Sequence, residues 1–178
     1  MKMDVFKVIK GRRSVRAFTD EPVSEEEVNQ LLDAARWAPS AGNIQPWEFI
    51  VVQDAKVKRG LVEAALDQTF IEEAPVVFVV CANPTRSSRR YGSRGAALYC
   101  LQDTAAAIQN MHLAAYAMGL ATCWVGSFQE EEVRSVLNLP DYLRSVAIIP
   151  VGHAAEKPVA TPRRPLSNLV HHGMYGRK

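Results

Sequence analysis

The sequence is poor in the features that mark a metalloprotein, a disulfide scaffold or a membrane span. Only three of its 178 residues are cysteine: Cys81, Cys100 and Cys123. They lie far apart in apolar stretches, and no CxxC pair or His/Cys cluster offers a metal site. They read as small buried hydrophobes in a reducing compartment. No apolar run approaches the ~18 residues needed to cross a bilayer. The amino terminus lacks the apolar core of a secretory signal, and the first chemical motif begins at Arg12, which leaves no room for a removable peptide. The expected location is the cytoplasm. The net charge of +2 is too small to argue by itself for a nucleic-acid or membrane partner. Repeats and low-complexity segments are absent. So is a GxGxxG fingerprint: Gly92-Ser93-Arg94-Gly95 comes nearest, and it follows no strand. With no Walker A sequence either, any nucleotide must be held in another way.

What is present suits one domain spanning residues 1–178, with 48% hydrophobic and 22% charged residues. A short amphipathic helix is expected over 3–11, with Val5, Phe6 and Ile9 on one face and Gly11 as its stop. Ser14 to Phe18 reads as extended. Ser24-Glu25-Glu26-Glu27 is a capping box ahead of a helix that buries Val28, Leu31, Leu32 and Ala35 and ends at Pro39. Trp47 to Gln53 reads as a strand, and Asp54 caps a helix through Leu66. Val76 to Ala82 is continuously apolar, as in a strand buried on both faces. An arginine-rich loop is expected over 83–95, then a long helix from Ala96 to Met118 stopped by Gly119. Ala121–Val125 and Arg144–Val151 read as strands on either side of a helix from Glu130 to Leu137. A proline-rich tail follows, with a turn at Ser167–Val170. The alternation of strands and helices predicts a sheet covered on both faces.

Four segments can carry chemistry. Arg12, Arg13, Ser14 and Arg16 fall within five residues. In an extended segment Arg12, Ser14 and Arg16 share a face, and guanidinium forks suit a phosphate while the serine suits a hydroxylated chain; the same residues also describe a solvated basic turn. Arg163-Arg164, stiffened by Pro162 and Pro165, offers a second basic segment or a solvated tail. The loop Pro39 to Trp47 has fixed ends and carries Ser40, Asn43 and Gln45, short polar groups suited to the edge of a neutral heteroaromatic ring; otherwise it is an Asn/Gly turn with Trp47 in the core. Cys123 to Phe128 leaves a strand, and Gly126 lets a ligand approach the backbone; otherwise it is a strand-to-helix turn. Arg86, Arg89, Arg90 and Arg94 around Tyr91 read as a solvated loop, a contact for NADPH, or a single-strand nucleic-acid surface. His112, on an apolar helix face, reads as a core or interface histidine.

Taken together, Arg12-Arg13-Ser14-Val15-Arg16-Ala17-Phe18 and Ala38-Pro39-Ser40-Ala41-Gly42-Asn43-Ile44-Gln45-Pro46-Trp47 resemble the start of the FMN-dependent nitroreductase family. The likeness continues through Ala74-Pro75-Val76-Val77-Phe78, Gly119-Leu120-Ala121-Thr122-Cys123-Trp124-Val125-Gly126, Val151-Gly152-His153 and Arg163-Arg164-Pro165-Leu166. The resemblance implies an α+β, three-layer fold with a mixed, mainly antiparallel sheet, in an intertwined homodimer holding FMN at its interface. It implies that Arg12, Arg13, Ser14 and Arg16 hold phosphate, ribityl and pyrimidine edge, and that Arg163 and Arg164 close on the phosphate. It places Pro39, Ser40, Ala41, Asn43 and Gln45 on the flavin, some from the partner chain, and the amides of Gly126 and Ser127 opposite N5 and O4. The implied activity is hydride transfer from NAD(P)H to flavin N5, then reduction of a nitroaromatic, quinone or related acceptor on the same open face, hence ping-pong kinetics. The protein supplies no certain acid or base; the flavin carries the chemistry. The alternative is a flavin store or sensor with little turnover.

Overall fold

The computed structural model describes residues 4–178. Helix α1 (Val5–Gly11) begins at Asp4, whose carboxylate accepts the Phe6 amide at 3.2 Å. The expected start at residue 3 lies outside the described residues. The inward face of α1 differs from the expected one: Val8 is buried, whereas Val5, Phe6 and Ile9 are exposed. The helix leans chiefly on the later helix α6, so only a narrow stripe is covered. Helix α2 (Glu25–Arg36) opens with the capping box, in which the Ser24 hydroxyl accepts the Glu27 amide and the Glu27 carboxylate accepts the Ser24 amide. Val28, Leu31 and Ala35 are buried on it, and Leu32 partly so.

The sheet is ordered β1 (Trp47–Val52), β2 (Val76–Ala82), β4 (Arg144–Gly152), β3 (Ala121–Thr122), and all neighbouring strands are antiparallel. Its parallel element is an isolated bridge from Ser14 to Thr122. The expected strand to Val125 is shorter than read: pairing lapses after Thr122 and resumes only as a bridge between Val125 and Ile148. All seven residues of β2 are buried. The period of two sends Val76, Phe78 and Val80 toward α2 and α6 (Cys100–Ala117), among Leu31, Ile108 and Met111. Val77, Val79 and Cys81 face α3 (Ala55–Ala64), α4 (Phe70–Glu73) and α7 (Glu130–Leu137), among Leu61, Ile71 and Val133. Each of these fully buried aliphatic side chains contributes on the order of 1.5–3 kcal/mol. The fold is therefore α+β in three layers, as expected.

Residues 83–95 are not a loop. Asn83 caps Arg86 through its side chain and Pro84 occupies the first turn, so helix α5 forms over Pro84–Arg94. Four arginines with no apolar stripe gave no helical period to read. The α5 backbone kinks at Gly92 (φ 56°, ψ −145°), and a wide π turn, Gly95–Tyr99, joins it to α6. The tail turn is a 3-10 segment at Leu166–Asn168. All three cysteines are free and buried, and burial pushes the Cys81 thiol up to about 12.

Ser24→Ala removes a cap bond and should lower stability by ~1 kcal/mol, a fall in melting temperature of roughly 2–4 °C. Bonds from Ser24 hold the Glu27 carboxyl below its ordinary value, so this contribution is present above that value and lost as pH falls through the folded one. The gap between wild type and variant should narrow on acidification in thermal melts.

Candidate functional site

The extended segment after α1 is held by backbone pairing. The Val15 amide donates to Thr122 O at 3.0 Å, and the Thr19 amide donates to His153 O at 2.9 Å. Val15 and Phe18 turn into the core, which leaves Ser14 and Arg16 on the open side. Arg12, Arg13, Ser14 and Arg16 line a cleft of about 430 Å³ together with Glu156, Thr161 and Arg163. The sequence-predicted convergence of the two ends of the chain is therefore present for Arg163. Its guanidinium is steadied by Thr161, through Oγ1 at 2.8 Å and the carbonyl at 3.0 Å. Arg164 is exposed and does not line this cleft. Arg13 is turned back onto the end of α1, donating to Lys10 O at 2.7 Å and Arg12 O at 2.9 Å. The carboxylate of Glu156 accepts the Arg16 amide and is the one acidic group in the lining. With Arg13 turned back, the guanidinium groups of Arg12, Arg16 and Arg163 against one carboxylate leave a net positive cleft that suits a dianion.

The 39–45 loop is a separate construction. Ser40 Oγ accepts the Gln45 amide at 3.0 Å, and Gln45 Nε2 donates to Asn43 Oδ1 at 3.0 Å. Gly42, Asn43 and Gln45 all have positive φ, at 56°, 56° and 52°. A left-handed Gln costs on the order of 1 kcal/mol, so the surroundings must impose it. They do so from two helices. Asp103 of α6 accepts the Ala41 amide at 3.1 Å. On α5, Arg90 donates to Gly42 O at 3.3 Å, and Arg86, paired with Glu48, donates to Gln45 O at 2.7 Å. A Cβ on Gly42 would lie 2.6 Å from the Tyr91 hydroxyl. Pro39, Asn43 and Gln45 are exposed, and Ser40 and Ala41 half-buried. Among the described residues no hydrogen bond or ion pair joins this loop to Arg12–Arg16 or to Arg163.

Gly126 and Ser127 are exposed at the turn before α7. Gly126 lines a cleft of about 310 Å³ with Trp124, Thr104 and Arg144. Gln68 Nε2 donates to Ser127 O at 3.0 Å and pins the turn. Trp124 stacks on His112 with ring centroids 5.9 Å apart. His112 is buried and its Nδ1 lies 2.6 Å from Thr122 Oγ1, a core histidine that ties the Ser14–Thr122 pairing to the Trp124 turn. Sequence reasoning missed Asp103, Arg86, Arg90 and Gln68 as supports. A lone acid inside the alanine-rich stretch Gln102–Ala107 was the available signal for Asp103; the arginines gave none, because their targets are backbone carbonyls distant in sequence.

A family model described as the nitroreductase family matches residues 9–73 and 63–153. The chain belongs to the nitroreductase family. It is 31% identical over 185 residues to FMN reductase (NADPH) of Bacillus subtilis, with 97% of this chain and 74% of that protein covered. It is 34% identical over 186 residues to NADH dehydrogenase of Thermus thermophilus, covering 89% of this chain and 91% of the relative. Among solved structures it is similar to the NADPH:FMN oxidoreductase of Vibrio harveyi complexed with NAD+, at a TM-score of 0.89, 25% identity and coverage of 98% and 79%. The residues matched by the family model include the arginine cluster, the 39–45 loop and the Gly126 turn.

Burial, with a smaller effect from Arg12, pushes His112 down from 6.5 to about 4. The folded protein thus binds fewer protons than the unfolded chain between these values, so stability falls as pH drops through that window, by ~3 kcal/mol in full. Asp103, raised by burial, works in the opposite direction. In denaturant titrations, His112→Gln should flatten the acid slope; an unchanged slope would place the imidazole in solvent.

Proposed function

We propose that the whole chain acts as one FMN-binding domain, and that two copies enclose two FMN molecules to make an NAD(P)H-dependent flavin oxidoreductase. The observation that carries this reading is the basic cleft of Arg12, Arg16 and Arg163 around Ser14. Its donor set matches a phosphate monoester followed by a hydroxylated chain, as FMN presents. Arg12, Arg16 and Arg163 hold the phosphate, and Arg164, outside the cleft in the single chain, adds its charge only if the tail closes over the bound group. Ser14 meets the ribityl hydroxyls. Arg13, bonded to the end of α1, fixes the entry of the segment. Pro39, Ser40, Ala41, Asn43 and Gln45, some of them from the partner copy, meet the edge of the ring, and the amides of Gly126 and Ser127 face it. A rigid, strained loop suits this task, because it presents its polar groups without first having to be ordered. When bound, FMN supplies the redox chemistry, taking hydride from NAD(P)H and passing it to a nitroaromatic, quinone or related acceptor. The relatives named FMN reductase (NADPH) and NADPH:FMN oxidoreductase support the donor and the cofactor.

Dimerisation is supported by apolar surface that one chain leaves open. Phe6 on α1 is 65% exposed, and Val159, Leu166, Met174 and Tyr175 of the tail are exposed up to 94%. Large apolar side chains left in solvent on α1 and the tail are surface that a second copy would cover, and in the proposed dimer the 39–45 loop of one copy approaches the arginine cleft of the other. No helix among the described residues is long and apolar enough to cross a membrane, and the three buried free thiols fit a reducing compartment such as the cytoplasm.

Protein incubated with FMN and desalted should be yellow and dimeric by light scattering, and anaerobic NADH or NADPH should bleach it. Arg12→Ala should weaken FMN binding by ~1.5–3 kcal/mol. A colourless wild-type protein after FMN treatment overturns the reading; flavin uptake without bleaching reduces the protein to a store.

A further inference from the structure

Helix α5 carries charge that the FMN pocket proposed above uses only in part. Residues 74–102 contain four arginines, Arg86, Arg89, Arg90 and Arg94, and no acidic residue. At 3.6 residues per turn, Arg86, Arg89 and Arg90 fall within about 100° of the helix circumference and share a face. Arg86 is balanced by Glu48, which leaves three positive charges on the helix. Arg89 is exposed and makes neither a hydrogen bond nor an ion pair among the described residues. Beyond the kink at Gly92, the chain turns back on itself. Tyr99 then meets Tyr91 edge to face, with centroids 5.3 Å apart. The guanidinium of Arg90 lies 5.4 Å over Tyr91, and that of Arg94 lies 5.4 Å over Tyr99 while its Nε donates to the Tyr99 hydroxyl at 3.0 Å. A Cβ at Gly92 would meet nothing within 4 Å, so glycine serves the positive φ of 56° there rather than a close contact. That backbone turn is what assembles the Arg90–Tyr91–Tyr99–Arg94 stack beside Arg89.

Two guanidinium planes on two phenol rings accept a flat heterocycle. Guanidinium groups with no carboxylate partner suit a phosphate monoester, which carries close to two charges near neutrality and three acceptor oxygens. Together they describe a purine nucleotide bearing a free phosphate. The stack also adjoins the 39–45 loop, through the bonds of Arg86 and Arg90 to its carbonyls. A dinucleotide whose nicotinamide lies on a ring held by that loop must lay its other half across neighbouring surface, and α5, ~16 Å long, is such a surface. We propose that α5 binds the adenosine 2′-phosphate of NADPH, with the base stacked on Tyr91, Tyr99 set at right angles beside it, and Arg89 and Arg94 on the phosphate, and that these arginines make NADPH the preferred donor over NADH. This rests on the flavin reading of the 39–45 loop. The pyrophosphate is common to both donors and each of its phosphates carries a single charge; the 2′-phosphate is the group that three uncompensated guanidinium groups distinguish.

The test uses FMN-treated protein, wild type and the double variant Arg89→Ala/Arg94→Ala. Both arginines are exposed on a helix and alanine is a strong helix former, so the fold is retained. Calorimetric titration with adenosine 2′,5′-bisphosphate and with AMP should show the bisphosphate binding wild type at least ~10-fold more tightly, the scale of one charge-assisted contact, and the variant should lose that gap. In stopped flow, the ratio of flavin-bleaching efficiency with NADPH to that with NADH should fall by ~10-fold or more in the variant. Equal binding of the two nucleotides to wild type, or an unchanged donor ratio in the variant, overturns the proposal. Tight bisphosphate binding with no bleaching by either donor would instead remove the oxidoreductase reading and leave the phosphate site standing. Bleaching with no preference for the bisphosphate would do the reverse.

Discussion

The burial of β2 on both faces is the constraint on which the rest of this chain depends. Seven consecutive residues, Val76 to Ala82, have no access to water, so helices must cover both sides of the sheet, and the strand must be paired along both edges to satisfy its backbone. β1 and β4 provide that pairing. Their outer ends then decide where the chemistry lies. The 39–45 loop runs into β1. The Gly126 turn precedes α7, whose chain returns as β4. The tail that brings Arg163 to Arg12 and Arg16 leaves β4 at Gly152. The polar segments sit at the margins of an apolar slab, and the slab holds their ends at fixed separations.

The margins are held by a different kind of interaction. The 39–45 loop has left-handed residues that would relax if left alone. Its amide at Ala41 is taken by Asp103 and its carbonyls at Gly42 and Gln45 by Arg90 and Arg86. Asp103 is buried with its second oxygen unpartnered, a cost the fold bears where it holds the strained loop. Bonds of this kind to charged groups are individually worth more than neutral ones, and three of them converging on Ala41–Gln45 make the loop a rigid plate. The arginine cleft is rigid by other means: backbone pairing to Thr122 and His153 fixes its floor, and Arg13 fixes its entry.

Neither of these two constructions encloses a cofactor within one chain. The arginine cleft is open, no residue of the 39–45 loop lines it, and apolar residues of α1 and the tail lie in solvent. In the proposed dimer a second copy covers these apolar residues and completes the enclosure, so cofactor binding and assembly stabilise one another by mass action.

Much of this was legible in the amino-acid sequence. The capping box at Ser24, the apolar run of β2, the stop at Gly119 and the helix at Glu130–Leu137 are local signals, set by caps, periodicity and glycine, and the structure follows them. The arginine cluster and the Pro39–Trp47 loop were recognisable as a pair through their resemblance to a family. What the sequence could not carry was contact between distant groups. The 83–95 segment had no apolar stripe, yet Asn83 and Pro84 start a helix there. Val5, Phe6 and Ile9 had the right period and still face outward, because α1 has little to lean on. Asp103, Arg86 and Arg90 support a loop forty to sixty residues away. By itself the sequence determined the elements that carry a cap or an apolar period, the family and the residue types of the basic cleft, because these depend on near neighbours along the chain. Only the tertiary structure decided that Arg163 joins Arg12 and Arg16 while the 39–45 loop stands apart, because that depends on which surfaces the two buried faces of β2 bring to the same margin.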